Sequence, residues 1–284
     1  MPQLSVERIK AALTVLQGQI QAVKTPFSIE VFDEVSSTNR CLWERAKAGA
    51  PSGTVSISAR QTAGRGQRRR AWQSETGGLY LSLYLDGREN LAPTVLARNS
   101  PQLTLCSAWG IVSMLRDRSI PVLLKWPNDL ILQRRKLGGI LTETRVQSDR
   151  LSQVVIGVGI NWGNPTPEVG VNLQQFWGNH PEMTPFSLEM LAALVLVGLD
   201  RGVSRWQNQG IEALLPDYQR WLVNLNQSIE FEGMAGTIVG VAANGNLIIR
   251  TTLGTRVQLP PGRVRLGYEA SPESRSNESA MTNR

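Results

Sequence analysis

Between residues 122 and 160 the chain reads as a row of short β-type runs parted only by turn signals, and this row constrains the fold most. The runs cover 122–126, 129–132, 137–143 and 154–160, with the polar break Gln147-Ser148-Asp149-Arg150 before the last. Runs of that length bounded by turn residues form a meander of strands. Gly163-Asn164-Pro165-Thr166-Pro167 ends it.

Helices and further strands surround this row. Val6, Ile9, Leu13 and Leu16 recur at near-helical spacing, so residues 4–20 form a first helix that ends before Pro26. A strand follows over 27–31. Ser36-Ser37-Thr38 then has the character of a helix cap, with Gly49 as the stop. Residues 54–59 and 79–85 alternate as strands, 101–117 forms a helix, and 187–222 returns to helix in one or two pieces broken near Gly210. From residue 225 the pattern changes to short β segments at 229–231, 236–241, 247–250 and 257–259. Asn244-Gly245 predicts a type I′ hairpin, whose central residues both need positive φ. These segments make a small antiparallel barrel over 225–270, leaning on a larger domain over 1–224, because so short a piece has little core of its own. Residues 271–284 are polar and poor in apolar side chains, the composition of a disordered tail.

Composition excludes some classes. Of 284 residues, 41% are hydrophobic, an ordinary globular share. No apolar run approaches the roughly 20 residues that span a bilayer, so no membrane association is expected. The start, Met1-Pro2-Gln3-Leu4, lacks a signal-peptide pattern, so a cytoplasmic protein is expected. Cys41 and Cys106 are far apart and read as small core residues rather than a disulfide or a ligand pair. The net charge of +7 calls for an anionic partner, nucleic acid or a nucleotide.

The chemistry is first defined by what is missing. The one histidine, His180, stands in a loop-like context and reads as a solvated residue, which leaves neither a Ser–His–Asp set nor a zinc site. No phosphate-binding loop of the Walker type and no dinucleotide fingerprint is present. An enzyme with this sequence takes its nucleophile from a substrate. Three stretches stand out positively. Gln61-Thr62-Ala63-Gly64-Arg65-Gly66-Gln67-Arg68-Arg69-Arg70-Ala71-Trp72 combines glycines that let a backbone approach a ligand with guanidinium forks that suit phosphate. A solvated basic loop or a nucleic-acid patch has the same composition. Lys125-Trp126-Pro127-Asn128-Asp129 ends a strand in a turn that presents charged and polar groups. Lys136-Leu137-Gly138-Gly139-Ile140-Leu141 leads a lysine into a strand open to close approach. Together they place cations and a carboxylate near adjacent strand ends, which suits charge building on a phosphoryl group.

In these stretches, in order, the sequence resembles the biotin–protein ligases. The family's G-R-G-x-x-x-R-x-W loop corresponds to residues 64–72, its K-W-P-N-D turn to 125–129, its K-L-x-G-I-L strand to 136–141 and its G-x-G-I-N strand to 157–161. Ser37-Thr38-Asn39 precedes them as in the family. The likeness covers roughly residues 30–165. It implies an α+β fold, a mixed, mostly antiparallel sheet flanked by helices like that of class II aminoacyl-tRNA synthetases, with a small C-terminal SH3-like β-barrel.

The resemblance also implies a reaction and its residues. Biotin and MgATP give biotinyl-5′-AMP, and biotin then passes to a lysine of the biotin carboxyl carrier protein of acetyl-CoA carboxylase. Lys136, Arg65, Arg68 and Arg70 are the catalytic candidates. Ser37, Thr38, Asn39, Gln61, Gly64, Gly66, Trp72, Lys125, Gly139, Ile140, Gly157 and Asn161 are candidates for holding biotin and the adenylate. Asp129 is the candidate metal ligand for Mg²⁺. The loop departs from the family pattern at Arg69, where glycine is usual, and at Gln67, where arginine is common. Residues 1–26 hold one helix, so a helix-turn-helix is not expected, nor sequence-specific DNA binding. A homodimer is left open. The alternatives are a lipoate or octanoate ligase of the same superfamily, whose loop and lysine strand differ, and a basic nucleic-acid-binding module.

Overall fold

Alternation within single strands separates a core face from a site face. The computed structural model describes residues 4–18, 25–92, 95–264 and 266–267; the tail expected over 271–284 lies outside them. The elements are α1 (Val6–Gln17), β1 (Ser28–Val35), α2 (Thr38–Lys47), β2 (Thr54–Gln61), β3 (Leu79–Asp86), α3 (Gly87–Asn90), α4 (Ser100–Arg116), β4 (Leu123–Lys125), β5 (Asp129–Leu132), β6 (Arg135–Gln147), β7 (Arg150–Ile160), α5 (Leu173–Gly178), α6 (Leu188–Arg220), β8 (Ser228–Phe231), β9 (Met234–Val241), β10 (Leu247–Thr251) and β11 (Arg256–Leu259).

Seven strands form one sheet in the order β1-β2-β3-β7-β6-β5-β4. The β1–β2 pair is parallel and every other neighbouring pair is antiparallel, the mixed sheet expected. β3, with the sequence LYLSLYLD, is buried along its whole length. Leu79, Leu81, Leu83 and Leu85 enter the main core with Val55 and Ile57 of β2 and Val154, Ile156 and Val158 of β7. Helices α1, α4 and α6 contribute to that same core. The opposite face carries Ser56 and Ser82, with Tyr84 and Val155 packed on Leu42 and Ala46 of α2. Period-two alternation therefore gives β2, β3 and β7 an apolar side under the helices and an opposite side that carries the small, polar Ser56 and Ser82 beside the α2 contact.

Residues 102–115 of α4 are all buried, so this helix runs through the centre. It meets α6 backbone to backbone: a Cβ on Gly110 would fall on the Gly198 carbonyl, and one on Gly202 on the Cys106 carbonyl. In α6 the non-helical Gly210 (φ 79°, ψ 168°) marks the break the sequence predicts. α5 was not predicted; Asn172 and Gln175 cap it reciprocally, and Phe176 and Trp177 bury it.

The C-terminal strands form a four-stranded antiparallel sheet in the order β11-β10-β9-β8, which is what the described residues show of the expected barrel. Its Phe231, Ile238, Val241, Leu247, Ile249 and Leu259 share one apolar cluster with the large sheet. The Asn244-Gly245 expectation is corrected. Gly245 alone has positive φ (84°), and β9 and β10 are joined by a longer turn with Gly245 N–H donating to Ala242 O and Ala242 N–H to Asn246 O. Both central residues have positive φ instead at Gln133-Arg134, Ser148-Asp149 and Glu232-Gly233, which link β5–β6, β6–β7 and β8–β9. No helix among the described residues is long and apolar enough to cross a membrane.

Candidate active site

A cavity of about 520 Å³ opens on the small-residue face of the large sheet. Its floor is β6 and β7. Gly139 pairs with Gly159 and Leu141 with Gly157, and these residues share one face. The glycines are required by what lies against them. A Cβ on Gly157 would fall on Asn39 Oδ1, and one on Gly159 would come 2.5 Å from Trp72 Nε1.

One end of the cavity is cationic. Lys136 Nζ is 2.6 Å from Asp129 Oδ1, and Lys125 Nζ is 3.7 Å from Asp129 Oδ2. The β5–β6 register shifts between Leu130 and Ile131, leaving Leu137 as an extra residue that turns Lys136 to the face of Gly139. The Lys136 ammonium also lies over the Trp72 ring, 5.1 Å from its centroid. Burial lowers the pKa of Lys125; Asp129 pulls it back up, and Lys136 and Arg70 push it down. Beneath the cis Trp126–Pro127 bond, the buried Tyr218 hydroxyl donates to Pro127 O at 3.3 Å.

The other end is a hydroxyl and amide network. Gln61 Oε1 accepts from the Thr38 N–H at 2.8 Å, and Gln61 Nε2 donates to Ser74 Oγ at 2.8 Å. Ser82 Oγ lies 2.7 Å from Thr38 Oγ1 and donates to Asn39 Oδ1 at 2.6 Å. Ser37 takes the N-cap position of α2 without a side-chain cap bond, and its side chain lines the cavity.

The arginine stretch stands over this floor as a hairpin. Its stem is closed by Gln61 N–H to Ser74 O, Trp72 N–H to Gly64 O and Gly66 N–H to Arg70 O. Arg68 and Arg69 at the tip both have left-handed backbones, φ 57° and 59°. The Arg68 guanidinium lies against Gly262, and Pro261, Gly262, Val264 and Leu266 complete the cavity wall.

Of the sequence candidates, Ser37, Thr38, Asn39, Gln61, Arg65, Gly66, Arg68, Arg70, Trp72, Lys125, Asp129, Lys136, Gly139, Ile140 and Gly157 line the cavity. Gly64 and Asn161 do not. Gly64 lies in the hairpin stem, where a Cβ would come 2.5 Å from Ser74 Oγ and Trp72 O. The Asn161 amide donates to Val171 O at 3.2 Å and accepts from Asn164 at 3.0 Å, a bracket behind β6. Trp126 of the 125–129 turn also lines the cavity but is only 4% exposed, its Nε1 donating to Gly245 O. His180 is outside the cavity, against Phe176 and Glu182. Sequence reasoning missed Ser74, Ser82 and Glu143; for Glu143 the signal was present, since it follows Gly139 and Leu141 on one strand face.

Residues 31–161 match the Biotin/lipoate A/B protein ligase family. The bifunctional ligase/repressor BirA of Bacillus subtilis is 27% identical over 232 residues, 79% of this chain and 70% of that protein. The BirA of Escherichia coli is 34% identical over 196 residues, 68% of this chain and 58% of that protein. The biotin protein ligase from Aquifex aeolicus, solved with biotin and ATP, superposes with a TM-score of 0.68 at 26% identity, covering 83% of this chain and 97% of that one. With the motif residues gathered in one cavity, these matches place the chain in the biotin–protein ligase family.

Proposed function

We propose that this ligase forms biotinyl-5′-AMP from biotin and MgATP and passes biotin to a lysine of the biotin carboxyl carrier protein of acetyl-CoA carboxylase. The observation that carries the reading is the Lys136–Asp129–Lys125 cluster, which opens into the cavity holding the Ser37, Thr38 and Gln61 network. The network offers donors and acceptors for an ureido ring, and Leu141, beside Gly157 and Gly159, offers apolar wall for an alkyl chain. The lysines stand where a carboxylate and an α-phosphate would meet, with Arg65, Arg68 and Arg70 at the mouth.

In the first step a biotin carboxylate oxygen bonds to the α-phosphorus, the α–β phosphoanhydride bond breaks, and pyrophosphate leaves. In the second, the carrier's lysine nitrogen bonds to the biotin carbonyl carbon, the acyl–phosphate bond breaks, AMP leaves, and the nitrogen releases a proton. Neither step needs a nucleophile from the chain. The protein's part is to align the reactants and to set cations against the growing negative charge.

Asp129, the candidate Mg²⁺ ligand, faces Lys136 and Lys125 at 2.6 and 3.7 Å. Mg²⁺ would arrive as MgATP, held mainly by phosphate oxygens, with the Asp129 carboxylate as the candidate protein ligand. The C-terminal sheet is read as the SH3-like unit of 225–270, beside a catalytic unit of 1–224, in a cytoplasmic protein.

The test is transfer of labelled biotin to a carrier domain with MgATP, with lipoate and octanoate in parallel. Biotin-dependent label on the carrier lysine is the expected result. Label from lipoate or octanoate alone would reassign the substrate, and no label from any acid would overturn the reading.

A further inference from the structure

One carboxylate joins the arginine hairpin to the polar floor of the cavity. Glu143 lies on β6 beyond the cavity wall, beside a groove lined by Arg40, Trp43, Lys47 and Arg145. Asn39 Nδ2 donates to Glu143 Oε2 at 2.8 Å, and Trp43 Nε1 donates to the same oxygen at 3.2 Å. Arg65 Nη2 bridges both carboxylate oxygens, at 3.0 and 2.9 Å. Asn39 is buried, and its own Oδ1 accepts from Ser82, which in turn meets Thr38.

An exposed ion pair holds a loop poorly, because both side chains are free to leave it. This pair differs in one respect. Two donors from α2 pin the carboxylate, so Arg65 meets a partner that is already ordered, and members of such a network reinforce one another. Arg65 is the first arginine of the hairpin, next to Gly66, whose N–H closes the stem on Arg70 O.

We propose that Glu143 is the positioning residue of the arginine hairpin: it holds Arg65 at the stem and makes the hairpin's stance depend on the Asn39–Ser82–Thr38 chain beneath it. Glu143 acts through Arg65 rather than on a substrate. Its kinetic consequence rests on the proposed adenylate-forming function, whereas its mechanical consequence does not.

Glu143→Gln keeps the shape and a neutral acceptor for α2 but removes the charge that holds Arg65. Arg65→Ala removes the same pair from the other side and leaves α2 untouched. The first readout needs no ligand: trypsin cleavage after Arg68, Arg69 and Arg70, followed by mass spectrometry on the folded chain. Each single variant is expected to be cut roughly tenfold faster than the parent, the size expected for one hydrogen bond to a charged group, and the double variant no faster than Arg65→Ala. The second readout is biotin adenylation. Glu143→Gln lowers the fraction of hairpins competent to bind, so KM for ATP rises roughly tenfold while kcat at saturating ATP stays within about twofold. Unchanged cleavage in both single variants would overturn the proposal, as would independent effects that multiply in the double variant. A fall in kcat with KM unchanged would overturn the positioning role. If the parent chain adenylates no biotin, the proposed function falls, and the cleavage series still decides the role of Glu143.

Discussion

Lys136 Nζ and Asp129 Oδ1 sit 2.6 Å apart although β5 and β6 would not bring them together in regular register. The extra residue, Leu137, turns the lysine onto the cavity face, and its backbone is held by Lys136 N–H to Val169 O. Re-aiming a side chain at the edge of a site is what a bulge of this kind does.

Lys136→Ala is expected to lower the adenylation rate about a hundredfold, near 3 kcal/mol of lost charge stabilisation. The melting temperature should change little, because Lys125 still faces Asp129. Pre-steady-state measurement of biotinyl-AMP formation, with thermal unfolding alongside, checks both halves; turnover near the parent's would remove Lys136 from the chemistry.

Gly157→Ala sets a methyl group on Asn39 Oδ1, within the Ser82–Asn39–Glu143 network. Overpacking of that kind costs about 1–3 kcal/mol. The variant should unfold at lower urea and bind biotin more weakly than the parent. A biotin titration with unaltered affinity would show that the network tolerates the displacement.

Arg69→Gly is expected to raise stability by about 0.5–1 kcal/mol, the relief of a left-handed residue less the entropy that glycine adds to the unfolded chain. The position has φ 59° and an exposed side chain, so little else changes. Urea unfolding midpoints provide the comparison, and a loss of stability would mean that the Arg69 side chain contributes more than its backbone costs.

Burial pushes the Cys106 thiol up from 9.0 to about 12. Between those values the unfolded chain has released a proton that the folded chain keeps, so stability falls as pH rises through that window. Cys106→Ala should reduce this slope, leaving the part that the buried Tyr80, Tyr84 and Tyr218 hydroxyls, also pushed up by burial, contribute at the alkaline end. In the native protein a thiol reagent should leave Cys106 unmodified until the chain unfolds, and rapid labelling at that position under native conditions would contradict its burial.

Much of this architecture was legible before any coordinates. The meander, the long helix broken at Gly210 and the C-terminal strands are local patterns, and local patterns survive folding. The turns were less legible. Asn244-Gly245 carries the strongest hairpin signature, yet the left-handed pairs are Gln133-Arg134, Ser148-Asp149 and Glu232-Gly233. Short, well-paired strands on both sides impose those angles on residues that do not favour them, whereas the Asn244 turn is shaped by contact of Gly245 with Pro101. The site divides in the same way. Motif residues gather at the cavity, but a motif does not say which of its polar atoms remain available: Asn39 and Asn161 have theirs engaged by the scaffold. For Glu143 the strand alternation gives the face, but not the partners, which come from α2 and from the hairpin, far away in sequence.

The two-sided character of β3 has a consequence for how this chain can change. Leu81 and Leu83 lie under the helices, and Ser82 between them anchors the polar floor. A slip of one residue would carry leucines into the cavity and a hydroxyl into the core. A substitution within 79–86 disturbs one face of the strand, whereas a single-codon insertion or deletion there would damage stability and ligand recognition together. For this strand, length matters to the site as much as any side chain in the motifs.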